Sequence, residues 1–459
     1  MFRLFLFLLL LKSGSCVAQM TDSSFIRKIA DEILVNGKAY DNLRVLCKTI
    51  GARLSGSSGM YKAEEWAEKT LKNMGADKVY LQECLVPRWV RGGKDEAVII
   101  YEDGKGKPVK ATLDVLAIGN TSGTGMGGIK AAVILIHDFE ELENRKDEIK
   151  GKIVFYSASF NPRYVETGYA YGETGVYRRS GPSRAARYGA LAIMTRSLSE
   201  STDNNPHTGA TIYDTSLPKI PAVAMGLKDA DNLYRLFSAG KKVEAYIKTM
   251  AHFLADTIGH NIIGELTGSE LPNEYITVGG HLDSWDIAEG AHDDGAGCVQ
   301  SMEVLRSLKA TGYKPKHSIR VVLFANEENG LRGGNKYADE VIKKNEKHIF
   351  ALESDNGGFT PRGFDFIMSA AQLTRAREWL PLFLPYGVYY FGNGGAGSDV
   401  TPLNMKSGIP VSELRPDSQR YFDLHHARND IFENVNNREL ALGAINMTAL
   451  IYMVDRYEL

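Results

Sequence analysis

Along residues 23–75 apolar positions recur at helical spacing, and Ala63, Trp66, Ala67 and Leu71 fall on one face of a helix that Gly75 stops. Residues 79–81 and 97–101 read as strands. From about residue 108 to 251 the texture changes. Short β runs at 131–136, 153–156, 191–194 and 221–224 sit among Gly-rich connections, with one short helix expected at 180–188. From residue 261 onward strands and helices alternate. The apolar strands are 275–279, 319–325 and 349–352, separated by helices at 295–310 and 335–345. Strands with almost no polar residue belong inside a sheet covered on both faces. The expected fold is therefore α/β, a sheet with helices on both faces, plus an inserted β-rich unit.

Each of those three strands runs into residues that bind metals. The first ends in Gly280-His281-Leu282-Asp283, the second in Asn326-Glu327-Glu328 and the third in Glu353-Ser354-Asp355. Between the first two, Ala291-His292-Asp293-Asp294-Gly295 enters a helix. Ligands of α/β sheets bind beyond the carboxyl ends of strands, so these groups are expected on one rim. Taken singly, each is more often a core histidine, a turn or a solvated acid pair. Carboxylates with imidazoles and no thiolate suit zinc. A two-metal hydrolytic centre wants one carboxylate that bridges and one base that is not a ligand, and the neighbours Glu327 and Glu328 can divide such tasks.

The first residues look like a targeting segment. Arg3 precedes an unbroken apolar run at 4–11, and small residues at Cys16-Val17-Ala18 suit cleavage near Ala18. That run is far shorter than the ~20 residues of a membrane span. The expectation is a protein without a membrane span, secreted or delivered to the ER, Golgi or lysosomal lumen, with residues 19–41 as a candidate pro-segment. In that setting Asn120-Thr121-Ser122 and Asn446-Met447-Thr448 fit the glycosylation acceptor pattern at Asn120 and Asn446. Beyond the leader, Cys47, Cys84 and Cys298 are too few for a disulfide scaffold. The chain has 459 residues, and a net charge of −2 leaves no basic field for nucleic acid.

The run from His281 through His426 resembles the co-catalytic zinc exopeptidase family that includes bacterial leucyl aminopeptidases and glutamate carboxypeptidases. Gly51-Ala52-Arg53-Leu54-Ser55-Gly56-Ser57 resembles that family's N-terminal stretch. Lys150-Gly151-Lys152-Ile153-Val154 and Ala185-Ala186-Arg187-Tyr188-Gly189-Ala190 resemble a protease-associated domain. The resemblance implies a catalytic domain over 42–107 and 252–459, with the insertion at 108–251. It implies two zinc ions held by His281, Asp293, Glu328, Asp355 and His426, with Asp293 bridging, Glu327 as general base and Asp283 accepting the ring proton of His281. Family spacing puts the last ligand four residues before Asp430, at His426, and the doubled histidine leaves His425 as the alternative. It also implies a carboxypeptidase or dipeptidase habit on peptides, and a homodimer. An aminopeptidase with the same centre, an inactive receptor-like relative and a single-zinc acyltransferase are the competing readings. All ligand positions are filled by competent residues, which favours the active exopeptidase.

Overall fold

The computed structural model describes residues 21–459. The leader at 1–18 lies outside the described residues. Two eight-stranded sheets carry the molecule. In spatial order the first runs β1 (Lys78–Val90), β10 (His252–Leu266), β12 (His317–Phe324), β11 (Leu271–His281), β13 (Lys347–Glu353), β16 (Val411–Pro416), β14 (Pro361–Ile367) and β15 (Tyr390–Gly392). The second runs β3 (Pro108–Leu113), β2 (Glu96–Glu102), β9 (Val243–Lys248), β5 (Ile129–Ile136), β6 (Ile153–Tyr156), β7 (Ala192–Arg196), β8 (Ala222–Met225) and β4 (Val115–Ala117).

In the first sheet β11 lies parallel to both β12 and β13. The chain leaves β11 for its neighbour on one side and then crosses to the other, so β11 is a switch point. A crevice opens outside the carboxyl end of such a strand. The return from β11 to β12 uses helix Ala296–Ala310, whose N-terminal end lies at that crevice. This helix is buried on nearly every side, Gln300, Ser301 and Glu303 included. Helices Asp22–Asn36 and Asn437–Tyr457 pack over it. The first of these falls within the candidate pro-segment. It presents Ile26, Ile29, Ala30 and Ile33 to the main core at 3% exposure or less.

The second sheet has eight strands and carries more helix than the sequence reading expects. Strands β5 to β8 are parallel, and their crossovers carry helices Phe139–Asn144, Thr167–Arg179 and Gly181–Arg187. Parallel strands need long crossovers, which explains the helices. Only the last of the three is read from the sequence. The strand Glu96–Glu102, which the sequence assigns to the catalytic segment, pairs with β3 and β9 of the second sheet.

Candidate active site

The rim beyond β11, β12 and β13 gathers the expected residues. His281 closes β11 with its ring buried, and its Nε2 lies 3.2 Å from Asp293 Oδ1 and 3.3 Å from Asp355 Oδ1. The other oxygen of Asp293 faces a second imidazole, His426 Nε2, at 3.2 Å, with His425 Nε2 at 3.6 Å. Glu328 Oε2 is 3.1 Å from the same His426 nitrogen. Two groups therefore meet at one carboxylate: His281, Asp293 and Asp355 on one side, and Asp293, Glu328, His426 and His425 on the other. The rings of His425 and His426 stack, with centroids 3.5 Å apart.

Neighbouring backbone and side chains hold these groups in place. Asp430 accepts from the backbone N–H of His292 at 2.7 Å and of Asp293 at 3.1 Å. Asp294 accepts from the backbone N–H of His281 and of Gly297, tying the strand end to the helix start. Trp285 donates its backbone N–H to Glu328 Oε1. Arg53, fully buried, donates to the carbonyls of Leu282, Glu289 and Gly290. The N-terminal Gly51–Ser57 stretch thus braces the loops that carry the ligands, a role its sequence did not disclose.

Asp283 requires a correction. The ring of His281 donates Nδ1–H to the backbone carbonyl of Asp283 at 3.0 Å, while the carboxylate stands 3.7 Å away. That carboxylate instead accepts the backbone N–H of Glu327 at 3.0 Å and the hydroxyl of Ser55 at 3.2 Å. It positions Glu327, and the carbonyl fixes the tautomer that leaves Nε2 facing Asp293.

The glycosylation expectation at Asn446 fails on burial. Asn446 lies within helix Asn437–Tyr457 at 0% exposure, donating to the carbonyls of Tyr386 and Leu442. Asn120 is half-buried and exchanges amide hydrogen bonds with Asn329, one residue beyond Glu328. The Asn446 side chain faces the interior, where a glycan has no room, whereas Asn120 lines the adjoining cavity.

The electrostatics ask for cations. Burial, with the charges of Asp355 and Asp293 beside it, pushes the Glu327 carboxyl up to about 8. Burial likewise raises Glu328 well above its usual range, with Asp293 adding to the effect. For Asp293 itself burial works the same way, but the His281 and His426 rings facing it outweigh burial and hold the carboxyl well below its usual range. His281 Nε2 and Asp293 Oδ2 are buried and have no hydrogen-bond partner. Buried polar atoms in natural proteins are almost always satisfied, so orphaned donor atoms inside a ring of carboxylates fit a site for metal ions.

The cluster forms one wall of a cavity of about 740 Å³. A second wall comes from helix Thr167–Arg179, which brings Tyr171, Arg178 and Arg179. Arg178 reaches across to the ligand loop, placing Nη1 at 3.3 Å from His426 Nδ1 and 3.0 Å from the carbonyl of Thr208. Thr208 donates its backbone N–H to the carbonyl of His426, and His207 Nδ1 meets the carbonyl of His425 at 2.8 Å. The contacts to His425 and His426 tie residues more than 200 positions apart, and no local sequence signal announces them.

A parallel-strand rim offering two imidazole–carboxylate groups around one shared aspartate defines a metallopeptidase, and the chain belongs to peptidase family M28, whose profile matches residues 261–451. Among named relatives it is similar to carboxypeptidase Q of Xenopus laevis, 35% identical across 95% of this chain and 92% of that protein. Carboxypeptidase Q of Homo sapiens is 33% identical across 94% of this chain and 89% of the relative. The crystal structure of a peptidase M28 precursor from Shewanella amazonensis superposes with a TM-score of 0.89 at 31% identity, covering 95% of this chain and 96% of that one. The aminopeptidase from Aneurinibacillus sp. strain AM-1, at 20% identity and a TM-score of 0.63, covers 94% of this chain and 96% of its own, and shares the fold. The protein is a metallo-exopeptidase of this family. Among the described residues no helix is long and apolar enough to cross a membrane.

Proposed function

We propose that the protein is an exported two-zinc exopeptidase that cleaves dipeptides or short peptides, acting as a carboxypeptidase or dipeptidase. The observation that carries this reading is Asp293, whose two oxygens face imidazoles on opposite sides at 3.2 Å. A carboxylate shared in this way is what a pair of cations needs to offset their mutual repulsion. His281 and Asp355 would complete one site, Glu328 and His426 the other, with His425 stacked behind. The inactive receptor-like reading loses its basis, because every position of the centre holds a competent group.

Zinc, when bound, supplies Lewis acidity that polarises the peptide carbonyl and makes a water acidic near neutral pH. The chain's own residues do the rest. Glu327 lines the cavity, held through its backbone N–H by Asp283. It takes the proton from the attacking water as the C–O bond forms, then returns it to the departing amine as the C–N bond breaks. Asp430 and Asp294 keep the loop of Asp293 and the backbone of His281 fixed, so the acceptor geometry costs little reorganisation. An aminopeptidase would use the same centre. The two activities differ only in which substrate terminus the cavity holds. We assign the carboxyl-terminal habit by similarity to the carboxypeptidase Q relatives.

The test is dipeptide hydrolysis before and after chelation. Activity should vanish on metal removal and return with zinc. Full activity in thoroughly metal-free protein would end the reading.

A further inference from the structure

Resting on the exopeptidase reading, we infer that Arg179 holds the free α-carboxylate of the substrate, so that the second sheet's helix selects the carboxyl terminus. Three guanidinium groups line the cavity: Arg178, Arg179 and Arg415. Two are already engaged. Arg415 pairs with Glu413 at 3.0 Å and with Asp365 at 3.4 Å. Arg178 donates to the Thr208 carbonyl, to His426 and, at 2.5 Å, to the Tyr171 hydroxyl. Among the described residues, Arg179 has no carboxylate within 4.0 Å and its side chain donates no hydrogen bond; burial lowers its pKa, the Tyr171 phenol opposes that and the Arg178 charge adds to the lowering. A half-buried cation left in that state favours an anion that can take its forked donors.

The slot for this guanidinium is built into the helix. A Cβ on Gly175, one turn back, would stand 2.8 Å from Arg179 Nη1 and 3.1 Å from its Cζ. Glycine weakens a helix interior, yet here it leaves the room in which the guanidinium lies against the backbone. The carbonyl of Arg179 accepts the backbone N–H of Ile212 at 2.8 Å, so the anchor residue is tied to the next wall of the cavity. A rigid element with a planar, unpaired fork suits a carboxylate at the end of a peptide whose carbonyl sits at the Asp293 cluster. Of the cavity's carboxylates outside that cluster, Glu166 carries no ion pair among the described residues and accepts only the Ser418 hydroxyl at 3.3 Å. Glu413 is taken by Asn356 and Arg415, and Asp365 by Arg415.

The experiment compares one dipeptide with its carboxyl-terminal amide, in the wild-type holoenzyme and in Arg179→Met and Arg179→Lys. The wild type should prefer the free acid. Arg179→Met should raise KM for the free acid roughly 10–100-fold, the range of a charge-assisted hydrogen bond. The rise in KM for the amide, whose carbonyl accepts only a weaker neutral hydrogen bond, should be far smaller, and zinc content equal to the wild type shows that the site is intact. Arg179→Lys should recover part of the preference. Competition by free leucine, but not by leucinamide, should weaken in Arg179→Met. If Arg179→Met keeps the wild-type preference for the free acid, Arg179 is not the anchor. If the wild type itself is indifferent to amidation, the inference falls while the metal-hydrolase reading stands. If no peptide is cleaved by zinc-loaded wild type, the exopeptidase reading beneath it falls.

Discussion

The two walls of the cavity are built on different principles. The first sheet supplies His281, Glu328 and Asp355 just beyond the ends of parallel strands, and Asp293 and His426 from the loops between its elements. The second sheet supplies guanidinium groups and backbone carbonyls from a helix and a loop, and they reach the cluster only through tertiary packing. The first wall carries chemistry common to a class of hydrolases. The second steadies the His425–His426 loop and, through Arg179, chooses what enters. Placing reaction and selection on separate elements lets each change without dismantling the other.

The sharpest way to break that division is to alter the first wall by one atom. Glu327→Gln keeps the shape but cannot take the proton, so kcat should fall by roughly 10²–10⁴-fold with zinc content unchanged. Glu328→Gln should instead lose zinc. The opposite pattern would exchange the two roles. Next comes the doubled histidine. His426→Ala removes a nitrogen 3.1–3.2 Å from Glu328 and Asp293, and should leave one site depleted of zinc. His425→Ala should spare occupancy and change only the rate. Depletion in His425→Ala alone would move the ligand one residue.

Legibility in the sequence follows the same line. The strand-end residues were readable because ligand type and apolar runs lie side by side in the chain. That held for His281, Asp293, Glu327, Glu328 and Asp355, and the spacing to Asp430 pointed to the His425–His426 pair. Helix Thr167–Arg179 was not readable, because Gly168, Gly172 and Gly175 with two threonines and three tyrosines give it poor helical propensity. It forms because packing against the first sheet's loops supplies what local preference lacks. Asp283 lies beside His281 and Glu327, but its backbone and carboxylate contacts cannot be told apart from sequence. The acceptor pattern at Asn446 is blind to burial, and a 21-residue helix hides it.

Two smaller changes sharpen the role of the second wall. Gly209 sits at φ +118°, and a Cβ there would stand 2.4 Å from Arg178 Cζ and 2.6 Å from His426 Nδ1. Gly209→Ala should displace both and weaken zinc binding about 10–100-fold, the range seen when a ligand's supporting contact is lost. Isothermal titration of metal-stripped protein would measure it. Wild-type affinity would mean that the loop does not steady His426. Gly172 has open space around its Cβ position and lies in the same helix as Arg179. Gly172→Ala should leave kinetics alone and stabilise the fold by roughly 0.5–1 kcal/mol in denaturant titration. A loss of stability there would show that the helix depends on glycine beyond position 175.

The central claim is that one rim holds two cations around Asp293, and metal content tests it most directly. Mature protein, purified without chelators and assayed for dipeptide hydrolysis, should carry close to two zinc ions per chain by elemental analysis. Asp293→Ala should lose both. A fully active preparation with one ion or none would contradict the shared-carboxylate centre.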